Sequence, residues 1–154
     1  MEELITDLIQ KGILRDQRII DAFINISRKN FVLPEDREEA CERDYPLSIG
    51  FGQTISEPLT VAFMIELLEP KEEDKILDVG SGSGWTTALL AELANKGFVY
   101  GTEIVPELVE FGRNNMTRYK FKNAEILQAE EDVGLKEKAP FDKILVSASV
   151  RVLP

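Results

Sequence analysis

Apolar positions in the first part of the chain recur at helical spacing. Leu4, Ile5, Leu8 and Ile9 share one face until Gly12 breaks the pattern, as a helix terminus does. Ile19, Ile20, Phe23, Ile24 and Ile26 form a second amphipathic stretch, with Asp16 placed to cap it. A short polar helix is expected over 36–43, after Pro34. The segment 45–54 carries Pro46, Gly50 and Gly52 and reads as an extended loop. Ser56-Glu57-Pro58 then opens a helix, with Ser56 as cap and Pro58 in the first turn. Nearly every residue over 59–68 is apolar, which predicts a helix buried on most sides.

Beyond Pro70 the pattern changes to short apolar runs alternating with helical stretches. Strands are expected over 75–79, 99–104, 124–128 and 143–147, and helices over 84–95 and 106–119. Strands alternating with helices build parallel βαβ units with right-handed crossovers, so the fold class is α/β. With no internal repeat and no low-complexity linker, the 154 residues read as one domain.

Composition narrows the chemistry. Histidine is absent, which removes imidazole-based triads and His-ligated zinc. Cys41 stands alone, so neither an internal disulfide nor a multi-cysteine metal site is available, and a reducing compartment fits. A net charge of -10 argues against a broad nucleic-acid-binding face. No apolar run approaches the ~20 residues that span a bilayer, and the acidic start Met1-Glu2-Glu3 does not resemble a secretory signal. A cytoplasmic protein, free of nucleic acid, metal and membrane, is the expectation.

The candidate chemistry lies at Asp78-Val79-Gly80-Ser81-Gly82-Ser83-Gly84, where three glycines at alternate positions carry the chain from an apolar strand into a helix. Side chains there would block both the turn and the approach of a ligand to the backbone. The spacing is GxGxG and not the GxGxxG of dinucleotide-binding domains, which disfavours a nicotinamide cofactor. Such a loop can direct backbone amides at a carboxylate, for example the amino-acid end of S-adenosylmethionine. Glu103 ends the next strand, where an acidic side chain accepts the hydroxyls of an adenosine ribose. Three glycines alone would equally serve a tight turn with no ligand; Asp78 before them and Glu103 after them favour a nucleotide-type cofactor. Trp85 reads as packing, Glu72, Glu73 and Asp74 as a solvated turn, and the Glu130 to Asp132 run as either a solvated loop or part of the site.

The run Ser48-Ile49-Gly50-Phe51-Gly52-Gln53-Thr54-Ile55-Ser56-Glu57-Pro58 resembles the signature of protein-L-isoaspartate O-methyltransferases, and the glycine loop resembles that family's cofactor loop. Lys11-Gly12-Ile13, Phe31-Val32-Leu33-Pro34 and Ala139-Pro140-Phe141-Asp142 match its layout, so the similarity spans nearly the whole chain. The resemblance implies a Rossmann-like S-adenosylmethionine-dependent methyltransferase fold with N-terminal helices, cut short after the fourth strand. It implies one methyltransferase domain over 1–154, divided into a helical section with the active-site loop (1–55) and a cofactor-binding section (56–154). The implied activity is methylation of the α-carboxylate of isoaspartyl residues in damaged proteins and peptides. Ser56 would be the active-site residue. Thr54, Ile55, Asp78, Gly80, Ser81, Gly82, Ser83, Gly84 and Glu103 would hold the cofactor, joined by Glu130, which stands where the family has the acid of a Gly-Asp-Gly turn. That turn reads Ala129-Glu130-Glu131 here, and the family's further strands have no counterpart. The fourth strand would then form an apolar edge, open to a second copy or another chain.

A carboxylate with an ordinary pKa of ~3.9 is ionised at neutral pH, so methyl transfer to it requires positioning and no general base. Nothing in the sequence supplies the base that a nucleophilic serine needs. Ser56 is therefore expected to position substrate, to cap a helix, or both. The competing readings are a catalytically impaired S-adenosylmethionine-binding module and a methyltransferase for a small molecule.

Overall fold

The computed structural model describes residues 2–130 and 134–149. At its centre four strands, β3 (Lys75–Val79), β4 (Phe98–Glu103), β5 (Ala124–Gln128) and β6 (Lys143–Val146), form a sheet in the order β5-β4-β3-β6. The strand pairs are all parallel, with Val79 opposite both Thr102 and Val146 and Glu103 opposite Gln128. The chain steps from β3 outward to β4 and β5, then returns to the far side of β3 for β6. Strand order thus reverses at β3, the place where open α/β sheets leave a crevice at the strands' carboxyl ends.

The helices are α1 (Glu2–Gln10), α2 (Gln17–Asn25), α3 (Arg37–Glu42), α4 (Pro58–Leu68), α5 (Trp85–Leu93) and α6 (Pro106–Met116). Asp16 caps α2 as its position in the sequence predicts, its carboxylate accepting the Arg18 N–H at 2.8 Å. Every residue of α5 except Glu92 is buried, because the helix lies between the sheet and α2. A helix apolar on all sides is stable only in such a place. Leu89 and Leu90, fully enclosed there, each contribute about 1.5–3 kcal/mol. Phe23 of α2 meets Trp85 edge-on at 5.6 Å, and the indole N–H donates to the Ile26 carbonyl at 3.0 Å. Trp85 is therefore a packing residue. One apolar cluster runs from Ile5 in α1 to Leu145 in β6 and joins the helical front to the sheet.

Two expectations change. The segment 45–54 is a hairpin in which β1 (Leu47–Gly50) pairs antiparallel with β2 (Gln53–Ile55). Phe51 and Gly52 form its two-residue turn with φ of 54° and 71°, the left-handed pair that matches strand twist. The second change is in α4, which exposes Phe63 and Leu67 at 50% and 64% and encloses the charged Glu66. The Glu66 carboxylate accepts the backbone N–H groups of Arg15 and Asp16 at 2.7 and 2.9 Å, fixing the start of α2. A continuous apolar run has no 3.6-residue period to tell its inner face from its outer one.

Candidate active site

The carboxyl ends of the strands, together with the hairpin, enclose a cleft of about 580 Å³. Val79, Gly80 and Gly82 contribute from β3 and its loop, Thr102 to Val105 from β4 and its exit, and Ala129 and Glu130 from beyond β5. Ser147, Ala148 and Ser149 follow β6, and Ile49, Gln53, Thr54 and Ser56 come from the hairpin and its exit. The volume falls within the range of small-molecule sites. A second pocket of about 360 Å³ between α6 and β5 holds none of the residues predicted for the site.

Gly80 and Gly82 form the cleft's floor. Gly80 has φ of 81°, and a Cβ on it would lie 2.3 Å from that of Ala148, so glycine is required for both conformation and space. The N–H groups of Gly80 and Ser81 donate to the Thr102 carbonyl at 2.8 and 2.9 Å, tying the loop to β4. Glu103, 7% exposed, reaches back from the end of β4. Its Oε2 accepts the Gly82 N–H at 2.9 Å, and its Oε1 accepts those of Ile104 and Val105 at 2.8 and 2.9 Å. A carboxylate offers about four acceptor positions, so roughly one remains for a ligand hydroxyl.

Several predicted residues stand behind the cleft. Asp78 is fully enclosed at the end of β3 and accepts hydrogen bonds from the Thr87 and Ser147 hydroxyls, both at 2.6 Å. Burial pushes its carboxyl above the ordinary carboxylate range; the two hydroxyls pull it partly back, and the like charge of Glu103 adds to the rise. Expected as a direct cofactor contact, Asp78 lies outside the lining and braces the loop against α5 and the exit of β6. Ser81 and Ser83 are 5% and 2% exposed. Ser81 Oγ is buried with no hydrogen-bond partner among the described residues, and the Ser83 carbonyl is held by Asn115 at 3.0 Å. Gly84 takes a left-handed conformation as the residue before α5, and the Ile55 side chain is in the core. Thr54, Ser56, Gly80, Gly82, Glu103 and Glu130 do line the cleft. Glu131 and Asp132 lie outside the described residues.

Ser56 is not the cap of α4. Glu57 occupies the cap position without a side-chain bond to the helix backbone, and the N–H of Leu59 donates to Asp44 at 2.8 Å. An aspartate from before the hairpin thus does the capping. The Ser56 hydroxyl has no hydrogen-bond partner among the described residues, and the Ser56 carbonyl accepts from Arg28 at 3.0 Å.

Arg28 gave no signal in the sequence. Its side chain is fully buried, with Nη2 donating to the carbonyls of Tyr45 (2.8 Å), Ser56 (3.0 Å) and Ile55 (3.4 Å), and Nη1 to that of Arg43 (3.4 Å). The guanidinium lies 5.7 Å from the centre of the Trp85 ring. Burial lowers its pKa to about 10, opposed by the charges of Asp44 and Glu57, so it remains a cation at neutral pH. Ser147 was likewise missed, because its role depends on β6 lying beside β3.

The donor set suits an adenosyl amino acid: backbone and small residues on the floor, a carboxylate for sugar hydroxyls, and Ile49, Ile104, Val105 and Ala148 as apolar surface for a base. Comparison with known proteins agrees. The family model for protein-L-isoaspartate(D-aspartate) O-methyltransferase matches residues 1–154. A protein-L-isoaspartate O-methyltransferase of Ignicoccus hospitalis is 39% identical over 153 residues, covering 99% of this chain and 72% of that protein. One from Myxococcus xanthus is 39% identical over 148 residues, covering 96% and 68%. The crystal structure of a Plasmodium falciparum chain described as this methyltransferase, in complex with S-adenosyl-L-homocysteine, superimposes with a TM-score of 0.86 at 30% identity, covering 99% of this chain and 75% of that one. A glycine floor tied to an acid at the end of the next strand, a serine-bearing hairpin beside it and a match along the full sequence lead to one assignment: the chain belongs to the protein-L-isoaspartate(D-aspartate) O-methyltransferase family.

Proposed function

We propose that this chain transfers the methyl group of S-adenosylmethionine to the α-carboxylate of isoaspartyl residues in damaged proteins and peptides, the first step of their repair. The observation that carries this reading is the Glu103 carboxylate bonded to the Gly82 N–H in the same cleft that Ser56 lines. The cofactor, when bound, supplies a methyl group activated by an adjoining sulfonium. Gly80 and Gly82 give its amino-acid end access to the backbone, and Glu103 takes a ribose hydroxyl on its remaining acceptor position. Thr54 and Glu130 border the same space. Asp78, Ser81, Ser83 and Gly84 set the loop's shape from behind, and Ile55 anchors the hairpin in the core. In this reading the helical section and the sheet section work as one methyltransferase domain.

Ser56 orients the substrate carboxylate through its hydroxyl. The substrate oxygen is already anionic, so no proton need be removed and the absence of histidine is no obstacle. Holding nucleophile and methyl group in line supplies several kcal/mol of the barrier. A lone, free Cys41 supports a reducing, cytoplasmic setting. Among the described residues β6 lies at the sheet edge with Ile144 49% exposed, which supports pairing with a second copy.

The test is labelled S-adenosylmethionine with a peptide carrying one isoaspartate, beside its normal aspartyl counterpart. Base-labile methyl ester on the isoaspartyl peptide alone is the expected result; cofactor binding without ester would point to an impaired module. Ser56→Ala is expected to lower turnover at least about tenfold, the scale of one lost charge-assisted hydrogen bond. Its affinity for S-adenosylhomocysteine should stay within a few fold.

A further inference from the structure

Arg28 is a fully buried cation with no carboxylate in direct contact among the described residues, and its partners are all backbone carbonyls. They belong to two stretches of chain. Arg43 and Tyr45 precede the β1–β2 hairpin, Ile55 ends its second strand, and Ser56 follows it. A side chain kept for packing alone would be apolar, since enclosing a guanidinium is costly unless its hydrogen bonds are needed. Here they join the two ends of the hairpin: Arg43, Tyr45 and Ser56 lie outside the β1–β2 ladder, and Ile55 is its last residue, opposite Leu47. Arginine suits such a junction, since its planar fork reaches separate acceptors from one rigid group, which the point charge of lysine cannot do. The Trp85 face completes the enclosure. Asp44, between the two carbonyls before the hairpin, caps α4 through the Leu59 N–H, so the same junction also sets where α4 begins.

We infer that Arg28 is a positioning residue for methyl transfer: by holding the base of the hairpin and the Ser56 carbonyl, it fixes the Ser56 hydroxyl at the cleft. It touches neither cofactor nor substrate and acts through the main chain. The inference rests on the isoaspartyl methyltransferase reading for its catalytic consequence, whereas its structural half stands on the bonds of Arg28 alone. Because the glycine floor and Glu103 are tied to β4 and not to Arg28, loosening this junction should affect turnover more than cofactor binding.

The experiment compares wild type with Arg28→Lys, which keeps the charge, and Arg28→Met, which keeps much of the bulk, by amide hydrogen exchange and steady-state kinetics. In Arg28→Lys, amides over 47–56 are expected to exchange at least about tenfold faster while those of β3 and β4 stay protected. The kcat for the isoaspartyl peptide should fall at least about tenfold, with S-adenosylhomocysteine affinity within about threefold, because misplacing a reacting group costs rate before affinity. Unchanged exchange over 47–56, or a kcat within about twofold of wild type, would overturn the inference. So would a parallel collapse of sheet protection, cofactor affinity and kcat in Arg28→Lys, which is the signature of a residue serving general stability. If Arg28→Met fails to fold, Arg28→Lys decides alone. A wild-type chain that esterifies neither peptide would instead overturn the functional reading and the catalytic half of this inference together, leaving exchange to judge whether Arg28 orders the segment.

Discussion

Glu103 shows how one side chain serves both loop and ligand. Three backbone N–H groups already converge on its two oxygens, and bonds of this charged kind are worth about 1.5–3 kcal/mol each. In Glu103→Gln one oxygen becomes an NH2 group that repels the N–H it faces. Affinity for S-adenosylhomocysteine should fall about 10- to 100-fold by calorimetry; an unchanged affinity would take Glu103 out of the site. Asp78 offers a test of a different kind. Its carboxyl is raised above the unfolded value of 3.8, so over that window the native state holds a proton that the unfolded chain has released. Its contribution to stability therefore declines as pH rises through the window. Asp78→Asn removes this titration. As pH rises above the unfolded value, the stability of the variant relative to wild type should climb in urea denaturation, and a flat difference would show the carboxyl to be unshifted. Gly80, Gly82 and Glu103, which line the cleft, were legible in the sequence because loop chemistry and strand ends are local patterns. The sequence could not separate Asp78, enclosed behind the loop, from Glu103, which faces the cleft, because both are acids at strand ends and only the fold decides which way each is turned. Arg28 was hidden for a related reason: its partners lie 15 to 28 residues away.

At the scale of elements, all four strands of the main sheet and the helices between them were legible, since short apolar runs bounded by glycine, proline and charge have few other readings. The hairpin was not. Its turn is Phe-Gly where Asn-Gly would have announced it, and β1 and β2 are only four and three residues long. The assignment of Ser56 as a cap failed for a physical reason as well: the Leu59 N–H is satisfied by Asp44 from before the hairpin, so a favourable local residue was not used. The loop after β3 and the segment after β6 depend on one another through the missing side chain of Gly80. Gly80→Ala would bring a Cβ to 2.3 Å from that of Ala148 in a conformation that L residues avoid. A loss of roughly 1–3 kcal/mol is expected in chemical denaturation, together with weakened S-adenosylhomocysteine binding. Gly52→Ala is the control: it has positive φ but open space around it, so it should carry the backbone penalty and leave the cleft intact.

Across the whole molecule, two features oppose each other. Among the described residues β6 is bonded to β3 on one side only, and Ile144 is half exposed on it. A parallel sheet ordinarily has both faces covered, and an open apolar edge is a template for another strand. Against this stands a net charge of -10, which makes two copies repel before their edges can meet. The balance is set by salt, because the screening length falls from about 30 Å at 0.01 M to about 10 Å at 0.1 M. If β6 pairs with its copy, sedimentation velocity should show a monomer at low ionic strength and a growing dimer fraction as salt is raised. Ile144→Lys should stay monomeric throughout, since an added edge lysine blocks strand pairing and costs little at an exposed site. An association driven by general apolar contact would also strengthen with salt, but it would persist in Ile144→Lys and weaken instead in Phe63→Ser or Leu67→Ser on the exposed face of α4. Monomer at every salt concentration would mean that charge and the shortness of the four-residue strand are enough to leave β6 unpaired, and that the site at the carboxyl end of β3 operates in a single chain.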